Sequence, residues 1–159
     1  IEESQMYNKI FVAMDGSDTS VEALEEALRI AASDRASLHV VCVVDQAPFL
    51  PYAGHYDPAA LIDAACKDSA KVLERAQSAI TNAGLKGDVE LVETESISDD
   101  VPSCLQRLVE QRGADLVVMG THGRRGLRRM VLGSVAERLL RISTVPVLMV
   151  RGAEGRAQE

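Results

Sequence analysis

Five short apolar runs, separated by helical patterns, limit this chain to a small number of folds. The runs cover residues 10–14, 38–44, 89–92, 116–119 and 147–150. Four of them are nearly continuous and rich in valine, which is typical of strands that are covered on both faces. The third run contains Glu90 and is followed by Glu93, so we predict that it forms an edge strand.

Apolar residues recur at helical spacing between the runs, within residues 21–31, 61–80, 101–109 and 132–142. Thr19 and Glu22 match a capping box at the start of the first helix. Gly84 and Gly113 follow the second and third patterns, as expected of glycines that end helices. The order βαβαβαβαβ predicts the α/β class, with a parallel sheet, helices on both of its faces and right-handed crossovers.

The segment 45–58 is the long connection in this scheme. It contains three prolines and a glycine, which predicts an irregular loop. The chain has 159 residues, of which 47% are hydrophobic, and this suits one domain with one core. We place that domain at residues 6–152 and expect residues 1–5 and 153–159 to be disordered or appended tails.

Charge and cysteine content narrow the possible functions. The formal net charge of −7 argues against binding to nucleic acid or to an anionic membrane surface. No run approaches the roughly 20 apolar residues of a membrane span, so we expect no membrane insertion. The three cysteines form no even disulfide set and no metal-ligand pair. We interpret them as the reduced thiols of a cytoplasmic protein.

Small and acidic residues follow three of the predicted strands, at the sheet edge where open α/β folds bind ligands. Asp15-Gly16-Ser17 follows the first strand, Asp45 the second and Gly120-Thr121-His122-Gly123 the fourth. Asp15 is either a ligand-binding carboxylate or a helix cap. His122 either contacts a phosphate or faces solvent.

The end of the fourth strand has the composition of a phosphate cradle. Gly120 and Gly123 are followed by nine residues and then by Gly133-Ser134, where the fourth helical pattern starts. Glycines let backbone N–H groups approach an anion, and a helix N-terminus adds its own N–H groups and dipole. Four arginines lie between the glycines and could pair with phosphate oxygens. The same residues are also compatible with plain turns and a solvated loop, and the Gly-Lys-Ser/Thr of a P-loop is absent.

The pattern Gly120-x2-Gly123-x9-Gly133-Ser134 resembles the glycine motif of the ATP-binding branch of the universal stress protein family. The sequences IFVAMDGS at 10–17 and TVPVLMV at 144–150 are similar to the first and last strands of that family. The resemblance extends over residues 7–151. The chain departs from it at 96–100, where relatives often carry a glycine before the third helix.

The resemblance implies a five-stranded parallel sheet of order 3-2-1-4-5 with ATP, with or without Mg²⁺, bound beside its central strands. It places Asp15 at the nucleoside end of the site and the backbone of Val43 against the adenine edge. It also implies homodimers or larger homo-oligomers formed through the last strand. The implied ligand-binding residues, ordered along the chain, are Ala13, Met14, Asp15, Val43, Met119, Gly120, Gly123, Arg124, Gly133, Ser134 and Val135.

The leading hypothesis is a regulatory module in which ATP binding orders the segment 123–133 and changes a surface that a protein partner recognises. The alternative within the same site is slow, Mg²⁺-dependent ATP hydrolysis, although we identify no catalytic residues and no metal ligands in the sequence. Two further alternatives share the alternating topology: a phosphoacceptor receiver domain and a flavodoxin. The third run ends without the aspartate of a receiver, and aromatic residues for flavin stacking are few.

Overall fold

The computed structural model describes residues 4–52, 54–122 and 132–152. Within them the chain forms five strands: β1 (Lys9–Met14), β2 (Ser37–Val44), β3 (Gly87–Glu93), β4 (Leu116–Gly120) and β5 (Val147–Val150). Helices follow the first four strands: α1 (Asp18–Asp34), α2 (Pro58–Asn82), α3 (Val101–Arg112) and α4 (Ser134–Ile142). No helix of these described segments is long and apolar enough to cross a membrane.

The strands form one parallel sheet in the order β3-β2-β1-β4-β5. This confirms the predicted α/β class, the predicted order 3-2-1-4-5 and the edge position of the acidic third strand. Receivers and flavodoxins have the order 2-1-3-4-5, so the sheet order separates this chain from both. In the register, Ala13 lies opposite Met119, and Gly120 lies opposite Val150.

Each face of the sheet is covered by two helices, and successive strand residues alternate between the two cores. Ile10, Val12 and Val40 pack with side chains of α1 and α2. Phe11 and Val41 pack with side chains of α3 and α4 on the other face. The apolar runs are continuous because both faces are buried.

The start of α1 differs from the prediction. Ser17 is the N-cap, and its hydroxyl oxygen accepts a hydrogen bond from the backbone N–H of Ser20. The predicted capping box of Thr19 and Glu22 is therefore wrong, because Thr19 already lies in the first helical turn. The two predicted glycines are at helix ends: Gly84 follows α2, and Gly113 is the C-cap of α3. Their φ angles of 69° and 63° favour glycine.

The segment between β2 and α2 is more regular than predicted. Residues 47–52 form a 3₁₀ helix, and α2 begins at Pro58 with Asp57 as its N-cap. Proline fixes φ near the value of a helical turn and lacks the N–H that a first turn leaves unpaired. The prolines therefore favour short helical turns here, where we had expected an irregular loop.

Candidate functional site

The candidate site is the crevice at the carboxyl edge of the sheet between β1 and β4. The crossovers from β1 and β4 leave toward opposite sides of the sheet, as the order β3-β2-β1-β4-β5 requires. Ligands of open α/β proteins bind where the strand order reverses in this way. Ala13 of β1 pairs with Met119 of β4, so Asp15, which follows β1, and Gly120, the last residue of β4, lie at this edge.

Two backbone hydrogen bonds join the end of β4 to its surroundings. The N–H of Thr121 donates to the carbonyl of Val150 at 2.9 Å. The N–H of Gly133 donates to the carbonyl of Thr121 at 2.8 Å. The second bond places the N-terminus of α4 against the end of β4, so the first and last glycines of the predicted pattern, Gly120 and Gly133, are brought together.

The N-terminus of α4 differs from the other three in how it is capped. Ser17, Asp57 and Asp100 cap α1, α2 and α3 with their side chains. Gly133 caps α4 with no side-chain hydrogen bond. Helix geometry leaves the N–H groups of the first turn, from Ser134 onward, without partners inside the helix. These groups, at the positive end of the helix dipole, are suited to an anion.

The backbone N–H of Gly133 already has a partner within the protein, unlike the N–H of a residue expected to bind phosphate. Its N–H donates to the Thr121 carbonyl, so the residue joins the two ends of the cradle. The exposed Ser134 stands next to it at the start of α4. Glu137, the acidic residue in the first turn of α4, forms an ion pair with Arg141 at 2.6 Å.

Gly120 lies against the first turn of α1. A Cβ atom added at Gly120 would stand 2.6 Å from Thr19 Oγ1 and 2.9 Å from the Thr19 carbonyl carbon. No side chain fits there without a shift of the backbone. Because Gly120 has no Cβ, the end of β4 can lie directly against α1, and a cradle built from backbone groups requires such a close approach.

Asp15 occupies a tight turn between β1 and α1. Its Oδ1 atom accepts hydrogen bonds from the N–H of Ser17 at 2.9 Å and from the Ser17 hydroxyl. Gly16 has a φ angle of 82°, which this turn requires and which favours glycine. Ser17, and not Asp15, is therefore the N-cap of α1. Asp15 holds this capping residue in place through the two hydrogen bonds.

The apolar residues among the predicted ligand-binding set fall on two faces of the sheet. Ala13, Val43 and Met119 pack on the face of α3 and α4, together with Val135 of α4. Met14 packs on the opposite face, in the core beneath α1 and α2, and is only 6% exposed. The structure therefore brings the first four together and separates the Met14 side chain from them.

The backbone of Val43 points toward the end of β1. The backbone N–H and C=O groups of odd-numbered β2 residues point toward β1, since the N–H of Ser37 donates to the carbonyl of Asn8. Those of even-numbered residues point toward β3, since the carbonyl of Val44 accepts from the N–H of Thr94. β1 ends at Met14, opposite Cys42. The carbonyl of Val43 consequently lies on the β1 side at the level where that strand stops.

His122 is more enclosed than a solvent-facing loop residue. Its Nδ1 lies 2.9 Å from the hydroxyl of Thr121, and its Nε2 is buried without a hydrogen-bond partner in the described part of the chain. The sequence left open whether this ring faces solvent or a phosphate. Gly123, Arg124 and the other arginines of the predicted insert lie outside the described residues.

The start of α3 supports α4 through charge. Asp100 accepts from the N–H of Ser103 at 2.9 Å and pairs with Arg138 of α4 at 2.6 Å. The hydrogen bonds from Ser103, together with the charge of Arg138, lower the pKa of Asp100. The neighbouring Asp99 has a lowered pKa chiefly because Arg107 donates to it, at 3.0 Å.

Thr19 is a residue of the site that was not among those expected from the sequence. Its hydroxyl donates to the carbonyl of His122, and its side chain packs against Gly120. We had assigned it to a capping box. The sequence signal that favours another role is Ser17, which two residues earlier already offers a capping side chain.

Fold and site together define a doubly wound α/β protein whose reversal point carries a glycine cradle and a helix N-terminus suited to an anion. The comparisons with known proteins give its family. Residues 6–151 match the sequence profile of the Universal stress protein family. The chain belongs to the universal stress protein family.

Three similar proteins illustrate this membership. Universal stress protein MJ0531 of Methanocaldococcus jannaschii is 36% identical, over 92% of this chain and 83% of its own length. A crystal structure of a family member from Burkholderia pseudomallei is 42% identical, with a TM-score of 0.74, over 92% of this chain and 98% of that one. A universal stress protein crystallised in complex with cAMP is 26% identical, with a TM-score of 0.63 and the same two coverages.

Proposed function

We propose that this protein binds ATP in the crevice between β1 and β4 and acts as a nucleotide-dependent regulatory module. The observation that carries the proposal is the N-terminus of α4, which lacks a side-chain cap and is held against the end of β4 by the bond from Gly133 to Thr121. Amide donors at a helix N-terminus favour phosphate groups. The family structure that holds cAMP supports an adenine nucleotide as the ligand class.

The residues of the crevice suit the different parts of ATP. Gly120 lets the end of β4 pack directly against α1, and the amides of Ser134 and Val135 would hold phosphates. The Val43 carbonyl would accept a hydrogen bond from the adenine amino group, and Asp15 would lie toward the ribose. Gly123 and Arg124 would complete the phosphate site. Mg²⁺, where it accompanies ATP, would be held mainly by the phosphates and water.

A charge placed at the N-terminus of α4 tests the phosphate site. Ser134→Glu adds a carboxylate that complements the helix dipole, so the thermal stability should be retained. The same carboxylate competes with phosphates for the amides, so calorimetry should show ATP binding weakened about tenfold or more. Adenosine, which has no phosphate, should bind almost unchanged.

Ala60→Glu is the matched control, because Ala60 is an exposed residue in the first turn of α2. It introduces the same charge at another helix N-terminus and should leave ATP binding unaltered. Equal loss of binding in both variants would indicate a general effect of net charge. Absence of ATP binding by the unmodified protein at millimolar nucleotide would refute the proposed function.

We further propose that one domain, residues 6–152, carries this site in the cytoplasm and forms a homodimer through β5. The proposal is supported by the edge position of β5 and by its apolar, half-buried residues. An apolar strand with an open edge favours pairing with another strand. Dimers would join two nucleotide sites in one particle, which offers a route from nucleotide binding to partner recognition.

A further inference from the structure

We propose that Thr19 is a positioning residue, whose hydroxyl holds the end of β4 and the N-terminus of α4 in the arrangement that receives phosphates. The inference rests on the proposed function for its ligand. Thr19 Oγ1 donates a hydrogen bond to the carbonyl of His122, which links residues 103 positions apart. A helix side chain in a first turn thereby fixes a backbone group of a distant strand end.

The end of β4 is held from three directions. β5 holds it through the bond from Thr121 N–H to the Val150 carbonyl, and α4 is joined to it through the bond from Gly133 N–H to the Thr121 carbonyl. Thr19 supplies the third bond, from α1. Thr19 of α1 bonds to His122, and Gly133 at the start of α4 bonds to the adjacent Thr121. A change in the position of His122 would therefore be passed to the residue that holds α4.

The methyl group and the hydroxyl of Thr19 have separate contacts. A Cβ at Gly152 would lie 3.1 Å from Thr19 Cγ2, so the methyl group packs toward the residues after β5. The hydroxyl lies on the side of Gly120 and His122. Threonine at this position therefore combines a packing contact with a hydrogen bond, and the two can be removed separately.

The proton count assigns the Thr19 hydroxyl to His122. Ser17 Oγ lies 3.3 Å from Thr19 Oγ1, but each hydroxyl has one proton to donate. The Ser17 proton goes to Asp15, and Ser17 Oγ accepts from Ser20. A carbonyl oxygen can only accept, so the Thr19 proton lies in the bond to the His122 carbonyl. The side chains of Asp15, Ser17 and Thr19 form a polar row from the proposed nucleoside end toward the end of β4.

Two pairs of variants isolate the hydroxyl. Thr19→Val replaces it with a methyl group of similar size, and Thr19→Ala differs from Thr19→Ser by a single oxygen atom. Loss of one hydrogen bond of this kind should weaken ATP binding about 3- to 10-fold in Thr19→Val and in Thr19→Ala. Thr19→Ser should bind ATP within about 2-fold of the unmodified protein. Adenosine affinity should change little in all three.

A nucleotide-free measurement separates this inference from the proposed function. Amide hydrogen exchange at Gly120, Thr121 and Gly133 should accelerate in Thr19→Val and Thr19→Ala, and should be unchanged in Thr19→Ser. Thr81→Val, an exposed threonine of α2, is the matched control and should alter neither exchange nor binding. Thr19→Ala, the smaller variant, keeps the comparison decisive if Thr19→Val does not fold.

Unchanged exchange and unchanged ATP affinity in both hydroxyl-free variants would overturn the positioning role. Equal weakening of ATP and adenosine binding would also overturn it, since that result indicates a general loss of structure. If the unmodified protein binds no ATP while exchange still responds to the hydroxyl, the proposed function fails and the role in holding the end of β4 stands as a structural one.

Discussion

Position 120 has no room for a side chain beside α1. The nearest atoms to an added Cβ belong to Thr19, and one of them is a backbone carbon that cannot rotate away. We expect Gly120→Ala to lower the free energy of unfolding by about 1–3 kcal/mol, as overpacking does elsewhere. Denaturant unfolding measures this change. Gly54→Ala is the control, because no atom lies within 4 Å of a Cβ there, and equal losses in both variants would contradict the packing account.

Asp99 makes stability depend on acid pH. Its carboxylate accepts two hydrogen bonds from Arg107 and one from the N–H of Glu95, and these bonds lower its pKa below the usual 3.8. A pKa that is lower in the folded state stabilises the protein above the unfolded value, and this contribution is lost as pH falls through the folded value.

We therefore expect Asp99→Asn to reduce stability at pH 7 and to flatten its decline below about pH 4. Chemical unfolding at several pH values between about 2 and 7 measures both effects. Asp68→Asn, which removes an exposed carboxylate of α2, is the control. An unaltered pH profile in Asp99→Asn would show that the pair with Arg107 contributes nothing to acid sensitivity.

At the scale of elements, the start of α1 is the most informative. Ser17 caps the helix and is held by Asp15, so one side chain joins the β1 turn to α1. We expect Ser17→Ala to destabilise the protein by about 1 kcal/mol, which is the usual cost of losing an N-cap. Ser78→Ala in α2 should be neutral or slightly stabilising, since Ser78 is an exposed residue inside a helix. Thermal unfolding compares the two, and equal effects would argue against the capping role.

The elements that the sequence predicted well are those set by periodic burial. All five strands and the four helices follow from apolar patterns, and the glycines at 84 and 113 mark helix ends because a positive φ favours glycine. The cap of α1 could not be chosen from spacing alone, because Ser17 and Thr19 are both capping residue types. The tertiary bond from Thr19 to His122 decides between them.

For the candidate site, the sequence predicted the location better than the roles. The crevice follows from the strand order, and the structure places Gly120 and Ser134 beside it. The face of the sheet on which the Met14 side chain packs could not be predicted from a continuous apolar run, because both faces are buried. The bond that occupies the Gly133 N–H depends on how α4 docks on β4, which local sequence does not specify.

At the scale of the whole molecule, β5 forms one edge of the sheet in the described part of the chain. Pro146 and Val150 direct their carbonyls toward β4, so the backbone groups of Val147 and Met149 point away from the sheet. Met149→Pro removes an outward N–H without breaking the bonds to β4, and we expect it to shift a dimer toward monomer. Light scattering measures the mass.

The opposite edge provides the control for this experiment. Lys86 and Thr94 bond to β2, so the N–H of Leu91 points outward from β3 in the same manner. Leu91→Pro should leave the mass of the particle unchanged. A monomer in the unmodified protein at high concentration, or an equal effect of both prolines, would contradict dimerisation through β5.

The central claim is that ATP binds with its phosphates at the N-terminus of α4. The most direct measurement is a titration of the ¹⁵N-labelled protein with ATP and, separately, with adenosine, followed by amide chemical shifts. We predict that ATP shifts the amides of Ser134 and Val135 and that adenosine shifts those near Asp15 and Val43 alone. Amides of Ser134 and Val135 that remain unchanged at saturating ATP would contradict the account.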